Sequence, residues 1–596
     1  MLKLNLSNGC MDDISQDPQY ASTYDVCVAF WVSKIIRSLD KSGVSDLLHI
    51  EVNDHNFEQF SFDLPISDIH DYQSLMGKLA ANRLLIPPTY RNLIPYYLFE
   101  EYRHCVQARR IEYRHNGLGW YNHHGDVLFL YDKNDVNGIP SYYAKNNVQF
   151  VKGNVTAYTD FLRDVVLPVP TLALGLALGY SAVVVSRLKE EYDFGTIIIN
   201  LCGASSTGKT TIEQLLVSPF ACPIPKNGSG LIHTFHATTN ALYASLEGIN
   251  GLPIVLDDAT TNPYLNLPNL IYTLATGQGR SRCNSEGDVK EARPSWSGVI
   301  VVSSETPIQD DSCQNQGLQV RVLQTQGITW TPDAPTAELI KSTVQKHYGH
   351  TGKQFADFVA KIPIEKLCAL FDEAKKNVKR LMVHRDNLSD RLEIKYAAIW
   401  LTIYLMNKCF GYKLNPQALT GIFINPEQES VLERDISLKS LNVMNNYILE
   451  NYARFSVCDH TPQQDPNQLG DNSKGASGSN YGTIVLNGST CDVFIPSDKV
   501  KDILKAKGIN EFSTVKKRWK EKGIIVCEKD RYTDKDSLKR RCIHFVYPKG
   551  LKTDIPDEFY QETEQHTPFL QATSVDTTDW NANDGIDEIF GEFDCE

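Results

Sequence analysis

The chain is organised around the stretch Gly203-Ala204-Ser205-Ser206-Thr207-Gly208-Lys209-Thr210, which fits the pattern G-x-x-x-x-G-K-[ST] at every constrained position. A β-branched run over 196–202 precedes it and predicts a buried strand, and residues 211–216 follow with helical spacing. The two glycines let the backbone turn tightly, so that successive N–H groups and a helix N-terminus point at one anion. The stretch therefore predicts a phosphate-binding loop, and we disfavour an accidental match in a glycine-rich turn.

Two side chains of this loop have chemistry suited to a nucleoside triphosphate. Lys209 would place a full positive charge at the β- and γ-phosphates. The hydroxyl of Thr210 would supply an oxygen ligand to Mg²⁺. The loop thus predicts a nucleotide and Mg²⁺ as cofactors.

The composition is typical of a soluble globular protein of several domains. Hydrophobic residues make up 42% and charged residues 22% of the 596 residues, a length that allows about three to five domains. The 14 cysteines include no C-x-x-C pair, which argues against a structural zinc site and a redox dithiol and suits a reducing cytoplasm. Residues 551–596 hold 13 Asp and Glu and one Lys, so the rest of the chain is near neutral and its charge does not exclude nucleic acid binding.

One apolar run, Leu172 to Val185, raises the question of a membrane segment. It is shorter than the ~20 residues that span a bilayer, and it leads directly into the nucleotide fold. We predict a buried core helix instead. The N-terminal residues 1–7 lack the apolar core of a signal peptide, so we expect a cytoplasmic protein without membrane contact.

Further site residues follow at the ends of later apolar strands. The run 252–258 ends in Asp257 and Asp258, about 45 residues after the loop. Asp257 would hold Mg²⁺ through water, and Asp258 would orient or deprotonate the attacking water. The strand 299–305 ends in hydroxyls, of which Ser304 is predicted to act as a sensor beside the γ-phosphate. Arg321 interrupts the apolar run 318–323, either as a solvated edge residue or as a deliberately placed charge.

Residues 279–284 and 289–293 flank a polar turn and predict a charged β-hairpin.

The order of loop, acidic strand, hairpin, sensor strand and arginine resembles that of the AAA+ ATPases with a pre-sensor hairpin. Three segments are similar to the MCM-like helicases of mobile genetic elements, such as those of staphylococcal cassette chromosomes: 203–211, 276–280 and 317–321. The resemblance covers about residues 60 to 550, is marked near its start by Gly119-Trp120, and is sharpest between 180 and 323.

This resemblance implies a homo-oligomeric ring, a hexamer, that uses ATP and Mg²⁺ to translocate on single-stranded and forked duplex DNA. It makes Arg321 the arginine finger that reaches a neighbour's ATP, and Arg280, Arg282 and Lys290 the DNA-facing residues of the hairpin. Two departures stand out: the second acid is Asp258 rather than Glu, and the sensor position holds Ser303-Ser304 without an Asn. The implied ATP-binding residues are Gly203, Ala204, Ser205, Ser206, Thr207, Gly208, Lys209, Thr210 and Thr211.

The C-terminal part predicts a winged helix after a helix-rich region and a polar stretch. Helices over 498–507 and 513–522 are followed by strands over 524–527 and 542–547 around a charged loop. Val515 and Trp519 would face the core. A basic recognition-type helix binds phosphates through charge, and we favour DNA over a solvated lysine face. Its predicted DNA-binding residues are Lys516, Lys517, Arg518 and Lys520.

The acidic tail contains Ile586, Ile589, Phe590 and Phe593 among its carboxylates. This pattern fits a short docking peptide for a replication partner and equally a solubilising tail, and both remain open.

The predicted fold class is α/β: a P-loop NTPase core of AAA+ type with a helical lid, a mixed α+β N-terminal domain and a C-terminal winged helix. The N-terminal domain would be a DNA collar or an oligomerisation module. The limits are 1–165 for the N-terminal domain, 166–330 for the ATPase core, 331–460 for the lid, 461–482 for a flexible linker, 483–550 for the winged helix, and 551–596 for an acidic, disordered tail.

Three functions compete. The leading hypothesis is an ATP hydrolase that acts as a ring-forming DNA helicase in the replication of a mobile element. An origin-binding initiator or helicase loader without processive unwinding would need the same parts. A protein remodeller is disfavoured, because its pore loop would be aromatic and apolar whereas the predicted hairpin is charged.

Overall fold

The structure is a computed structural model of the chain. It divides into two compact units, one of residues 1–378, 391–420 and 577–596 and the other of residues 379–390 and 421–576. The residues that the structure describes are 2–5, 10–13, 25–41, 44–53, 58–87, 92–145, 147–192, 195–225, 230–235, 237–259, 267–279, 294–308, 320–325, 327–382, 389–434, 436–459, 473–474, 481–487, 490–527, 533–535, 540–547 and 586.

The first unit begins with a sheet and two helices. Its elements are β1 (Leu2–Asn5), β2 (Cys10–Asp13), β3 (Asp25–Ser38), β4 (Leu47–Asn53), β5 (Gln59–Pro65), α1 (Tyr72–Ala81), α2 (Leu93–Gln107), β6 (Ile111–His115), β7 (Leu118–His123), β8 (Asp126–Leu130), β9 (Lys133–Val136) and β10 (Ile139–Tyr143). Eight strands pair in the order β1-β2-β3-β6-β10-β9, with β4 on β3 and β5 on β4. Alternate residues of β4 are buried, because successive side chains of a strand point to opposite faces. That inner face packs against apolar residues of α1 and α2.

A five-stranded parallel sheet forms the centre of this unit. The elements here are α3 (Val155–Phe161), α4 (Pro170–Arg187), β11 (Ile197–Cys202), α5 (Lys209–Val217), β12 (Ile232–Thr234), α6 (Thr239–Leu246), β13 (Ile249–Asn250), β14 (Ile254–Asp257), α7 (Leu267–Thr276), β15 (Val299–Ser304) and β16 (Val322–Thr325). The strand order is β12-β14-β15-β11-β16, and every neighbouring pair is parallel. Because carboxyl ends of parallel strands meet at one edge of a sheet, the residues that follow β11, β14 and β15 come close together.

Helix α4 is the apolar run that raised the membrane question. It is the one helix among the described residues long and apolar enough to cross a membrane, and 83% of it is buried inside the protein. Gly179 allows α5 to approach closely, since a Cβ there would lie 2.1 Å from the carbonyl oxygen of Leu216. The prediction of a buried core helix is confirmed.

A helical region follows the central sheet. It contains α8 (Ala334–Val344), α9 (Gly352–Ala360), α10 (Ile364–Leu381), α11 (Ser389–Phe410) and α12 (Pro416–Arg434). The sequence predicts an amphipathic helix over 389–406. In the structure every side chain from Lys395 to Asn407 is buried, so this part of α11 packs on all sides and not on one face only.

The second unit has its own core. Its elements are α13 (Ile436–Glu450), β17 (Ser456–Asp459), β18 (Ser473–Lys474), β19 (Thr483–Asn487), β20 (Thr490–Pro496), α14 (Ser497–Ala506), α15 (Phe512–Glu521), β21 (Ile525–Val526), β22 (Asp534–Lys535) and β23 (Arg541–Tyr547). Val515 and Trp519 are buried in it, as predicted. Trp519 Nε1 donates to the carbonyl oxygen of Ser437 at 2.7 Å, and Tyr547 Oη donates to Asn445 Oδ1 at 2.6 Å. Helix α13, which the sequence assigns to the lid, therefore packs in the same core as α15.

Two predicted segments fall largely outside the described residues. In the predicted linker 461–482, the described strand β18 pairs antiparallel with β17 through Ser473 and Lys474. In the predicted tail 551–596 the structure describes Ile586, which is buried in the first unit. The carbonyl oxygen of Ile586 accepts a hydrogen bond from Tyr404 Oη at 3.4 Å, so at this point the tail contacts its own chain.

The hairpin of β7 and β8 allows a prediction on stability. Gly119 has a φ of +92°, and a Cβ there would lie 1.6 Å from the carbonyl oxygen of Asn250 in β13. Gly125, in the turn of the same hairpin, has a φ of +101° and no atom within 4 Å of such a Cβ. Both alanine substitutions share the strain of a positive φ, so we expect Gly119→Ala to destabilise the protein by about 1–3 kcal/mol more than Gly125→Ala. Denaturant unfolding of both variants measures the difference, and equal losses would contradict the role of this close contact.

Candidate active site

The predicted phosphate-binding loop joins β11 to α5. Ser206 and Gly208 have φ values of +71° and +89°. A Cβ on Gly208 would lie 2.6 Å from Thr331 Oγ1, so this position needs glycine for space as well as for conformation. Helix α5 begins at Lys209 without a side-chain cap, and the first N–H groups of a helix have no partner within it. The loop and the helix N-terminus thus offer N–H donors to an anion.

Hydrogen bonds within the loop hold its shape. Lys209 Nζ donates to the carbonyl oxygens of Gly203 and Ala204 at 2.7 and 3.0 Å. Thr207 Oγ1 donates to the oxygen of Ala204 at 3.0 Å, while its own carbonyl accepts from the backbone N–H of Trp330 at 2.9 Å. The lysine therefore lies over the loop, where a phosphate would compete with these carbonyls for its charge.

The two predicted carboxylates are joined through a serine. Ser303 Oγ donates to Asp257 Oδ1 at 2.7 Å and accepts from the backbone N–H of Asp258 at 2.9 Å. Asp258 has a φ of +60°, a conformation that is uncommon outside glycine and more frequent in Asp and Asn. Ser304, the predicted sensor, donates to Asn200 Oδ1 at 3.0 Å. The hydroxyl that contacts the first carboxylate is thus that of Ser303.

These groups line one cleft of about 370 Å³ at the carboxyl edge of the parallel sheet. It brings together most of the predicted loop residues, both carboxylates and Ser304. Gly203, Ala204 and Thr207 belong to the loop without being among the described lining residues. Ser303, which the sequence places at the sensor position together with Ser304, also lines the cleft, and so do two residues that the sequence analysis missed, Glu305 and Lys341.

The oxygen donors in this cleft suit Mg²⁺. Thr210 and Asp257 both line it, and Mg²⁺ binds through one or two protein oxygens while keeping waters and substrate phosphates. No group of three or more His, Cys, Asp or Glu side chains able to hold a metal occurs among the described residues. The donors present thus fit a metal that arrives with a nucleotide, with Thr210 and Asp257 as its protein ligands.

Glu213 is a buried acid next to this cleft. It lies on α5 and is 1% exposed, and its carboxylate lies close to the side chains of Ser303 and Asp257. Burial, and then the negative charge of Asp257, raise the pKa of Glu213 to about 8. A cation bound at Asp257 would offset part of that repulsion.

Comparisons with known proteins bear on the whole chain. Residues 12–294 match a family described as a domain of unknown function, DUF927, and residues 435–549 match the Cch helix-turn-helix domain. A solved structure described as the active helicase Cch of SCCmec type IV has 23% sequence identity and a TM-score of 0.64, and the match covers 91% of this chain and 96% of that one. The chain shares the fold of this Cch helicase. The resemblance to the helicases of staphylococcal cassette chromosomes is confirmed.

Two further solved structures match less closely than Cch. Both are apo forms of the C-terminal region of NrS-1, with 12% and 11% identity and TM-scores of 0.30 and 0.26. Their matches cover 86% and 70% of this chain, and 95% and 77% of theirs. No curated protein matches the chain.

Arg321 lies apart from the cleft of this Cch-type fold. It directly precedes β16 and is not among the described residues that line the cleft. Its guanidinium carbon lies 4.2 Å from the centroid of the Tyr272 ring on α7, a distance at which a cation is attracted to the ring face. The arginine is half-buried.

The predicted DNA-binding residues divide into two groups. Lys516, Lys517, Arg518 and Lys520 lie on α15, within the match to the Cch helix-turn-helix domain. Lys517 is exposed, and its amine lies 3.9 Å from Glu521. Arg280, Arg282 and Lys290 lie outside the described residues, so the DNA-facing hairpin of the Cch-type resemblance stays a prediction.

The missed residues gave little signal in the sequence. Lys341 lies on α8, more than 130 residues beyond the loop, and nothing in its local pattern points to the cleft. Glu305 accepts a hydrogen bond from Ser205 Oγ at 2.6 Å, and it is the last residue of the predicted strand 299–305. Glu213 gave no clear clue, because its helix also carries the polar residues Lys209 and Gln214.

Proposed function

We propose that the chain is an ATP-dependent, ring-forming DNA helicase or translocase that acts in the replication of a mobile genetic element in the cytoplasm. The observation that carries the proposal is the single cleft that holds Lys209, Thr210, Asp257 and Asp258 at the carboxyl edge of the parallel sheet. The strand order, with the loop strand β11 between β15 and β16, supports an AAA+ type core over 166–330. The winged-helix assignment for 483–550 is supported by two helices followed by antiparallel strands.

In the proposed reaction the loop N–H groups and Lys209 bind the phosphates of ATP. Thr210 and Asp257 would hold Mg²⁺, and the metal would offset the negative charge that develops on the phosphate during transfer. Asp258 orients the attacking water and takes up its proton. Arg321 of the neighbouring subunit would stabilise the transition state, since it lies apart from the cleft of its own subunit.

An origin-binding initiator or helicase loader remains the second candidate. The basic face of α15 favours it as much as a helicase, because recruiting duplex DNA needs no processive motor. Strand separation on a forked duplex, measured beside ATPase activity with and without single-stranded DNA, distinguishes these functions. Unwinding that requires ATP hydrolysis supports the helicase, DNA-stimulated ATPase without unwinding supports the loader, and ATPase indifferent to DNA would contradict both.

Asp258→Asn is expected to trap ATP. The amide keeps the size of the side chain and cannot take up a proton, so hydrolysis should fall by roughly 10²–10⁴-fold, with nucleotide affinity largely unchanged. Phosphate release and binding of a fluorescent ATP analogue measure the two quantities. The matched control is Asp357→Asn on α9, an exposed acid that pairs with Lys353 at 2.7 Å. Turnover near wild type in the first variant would mean that another group positions the water.

The basic helix allows a salt-dependence test. Lys517→Ala with Lys520→Ala should weaken duplex binding irrespective of sequence and make the slope of log K against log salt shallower by roughly 1–2. Basal ATPase activity should stay unchanged. The control pair is Lys501→Ala with Lys505→Ala on α14, both exposed. An equal loss in the control pair would mean that α15 is not the DNA-binding surface.

A further inference from the structure

Lys395 is a buried lysine on α11, 6% exposed, that the site described above does not include. Its Nζ donates to the carbonyl oxygen of Val320 at 2.6 Å and to that of Arg321 at 2.8 Å. These are the last two residues before β16. Through Lys395, helix α11 therefore holds the backbone of Arg321, the predicted arginine finger.

Burying a lysine at this position costs free energy unless its amine forms hydrogen bonds or an ion pair. Buried charges are usually paired with an opposite charge, and among the described residues no carboxylate forms an ion pair with Lys395. Burial, together with the positive charge of Arg321, lowers the pKa of Lys395 to about 7. A methionine of similar length would fill the same volume without this desolvation. The amine is thus suited to binding the two carbonyls and not to packing alone.

The side chain of Arg321 also has a contact that fixes its position. Its guanidinium lies over Tyr272 on α7, while the next residue, Val322, pairs with Ile198 of β11, the strand that leads into the phosphate-binding loop. The arginine is thus fixed through its backbone by α11, through its side chain by α7, and through the sheet to the strand before the loop. Of these three contacts, the hydrogen bonds of Lys395 act on Arg321 itself without touching its charged group.

We propose that Lys395 is a positioning residue for Arg321: its hydrogen bonds to the two carbonyls fix the direction in which the guanidinium reaches the nucleotide of a neighbouring subunit. The inference rests on the proposed function, because it needs Arg321 to act across a subunit interface. It makes α11 the element that sets where the finger lies.

The test uses the full-length protein with Lys395→Met, which removes the hydrogen bonds and keeps the shape. Binding of a fluorescent ATP analogue should stay within about twofold of wild type, because the cleft is untouched, and ATP hydrolysis should fall at least about tenfold. Added to Arg321→Ala, the substitution should cause no further loss, since it acts through that arginine. A further loss in the double variant would overturn the inference.

Mixed subunits provide a readout that a purely structural defect would not give. Lys395→Met protein retains an intact phosphate-binding loop, and Lys209→Ala protein retains an intact Arg321. Mixtures of the two should therefore regain activity at the subunit interfaces where an intact loop meets an intact arginine. Lys395→Gln, which keeps a neutral N–H donor, should lose less activity than Lys395→Met. Both variants are mixed with Lys209→Ala protein, so that the inference is tested even where one of them is unstable.

The matched control is Asn407→Leu on the same helix. Asn407 is buried, donates to the carbonyl oxygen of Leu414 at 2.8 Å and accepts from its N–H at 2.9 Å, so it too holds a backbone segment, away from Arg321. This variant should keep the hydrolysis rate per folded subunit.

If Arg321→Ala protein mixed with Lys209→Ala protein recovers activity and Lys395→Met protein in the same mixture does not, the positioning role is wrong and the proposed function stands. If neither recovers, the action of Arg321 across the interface is itself wrong.

Discussion

Lys209→Ala is expected to lower ATP turnover by at least about 10²-fold, the loss typical of removing one preorganised group that stabilises transition-state charge. The amine of Lys209 bonds to the carbonyls of Gly203 and Ala204, and its positive charge lies at the loop that would bind the phosphates. The fold should be kept, because the loop is also held by Thr207 and Trp330. Strand separation should be lost together with hydrolysis.

Phosphate release and circular dichroism on the same preparations check this prediction. A suitable control is Lys376→Ala on α10, an exposed lysine that pairs with Glu373 at 2.8 Å, which should leave both quantities unchanged. Turnover near wild type in Lys209→Ala would remove the basis for ATP hydrolysis at this cleft.

The second large effect is expected from Arg321→Ala. An arginine finger contributes roughly 10³–10⁵-fold to the rate where it has been measured. The variant should bind ATP normally, because Arg321 is not among the described residues that line the cleft, and should hydrolyse it more slowly by a factor of this order. Mixing it with Lys209→Ala protein should restore part of the activity, as each subunit supplies what its neighbour lacks.

The mixing ratio makes this prediction quantitative. Activity should peak at intermediate ratios and vanish at both ends if the arginine acts on a neighbour. A flat response at all ratios would mean that Arg321 acts within its own subunit or only supports the fold through Tyr272.

The phosphate-binding loop was predictable because its chemistry is contiguous. Two glycines, a lysine and a threonine at fixed spacing need only the strand before and the helix after them, and each of those is a local pattern. The buried strands β14 and β15 were readable for the same reason, since strands covered on both faces are continuous apolar runs. Asp257 and Asp258 follow from the end of such a run.

The rest of the site depends on contacts between distant parts of the chain. Ser303 and Ser304 are adjacent in a strand, so their side chains point to opposite faces, and the sequence does not tell which of them meets Asp257. Lys341 reaches the cleft and Lys395 reaches the backbone of Arg321 from helices whose positions are set by packing. The association of α13 with α15 depends likewise on a hydrogen bond from Trp519 to Ser437, 82 residues away.

The left-handed backbone conformation of Asp258 decides which substitutions at this position change its chemistry without changing the backbone strain. Aspartate and asparagine adopt such a conformation more readily than other residues with a side chain, so an asparagine substitution changes the chemistry with little change in backbone strain. Alanine or glutamate would alter both at once, and their kinetic defects would mix a lost proton acceptor with a displaced turn. The turn sets where the carboxylate of Asp258 lies, and a glutamate there would add one methylene while meeting the same backbone constraint.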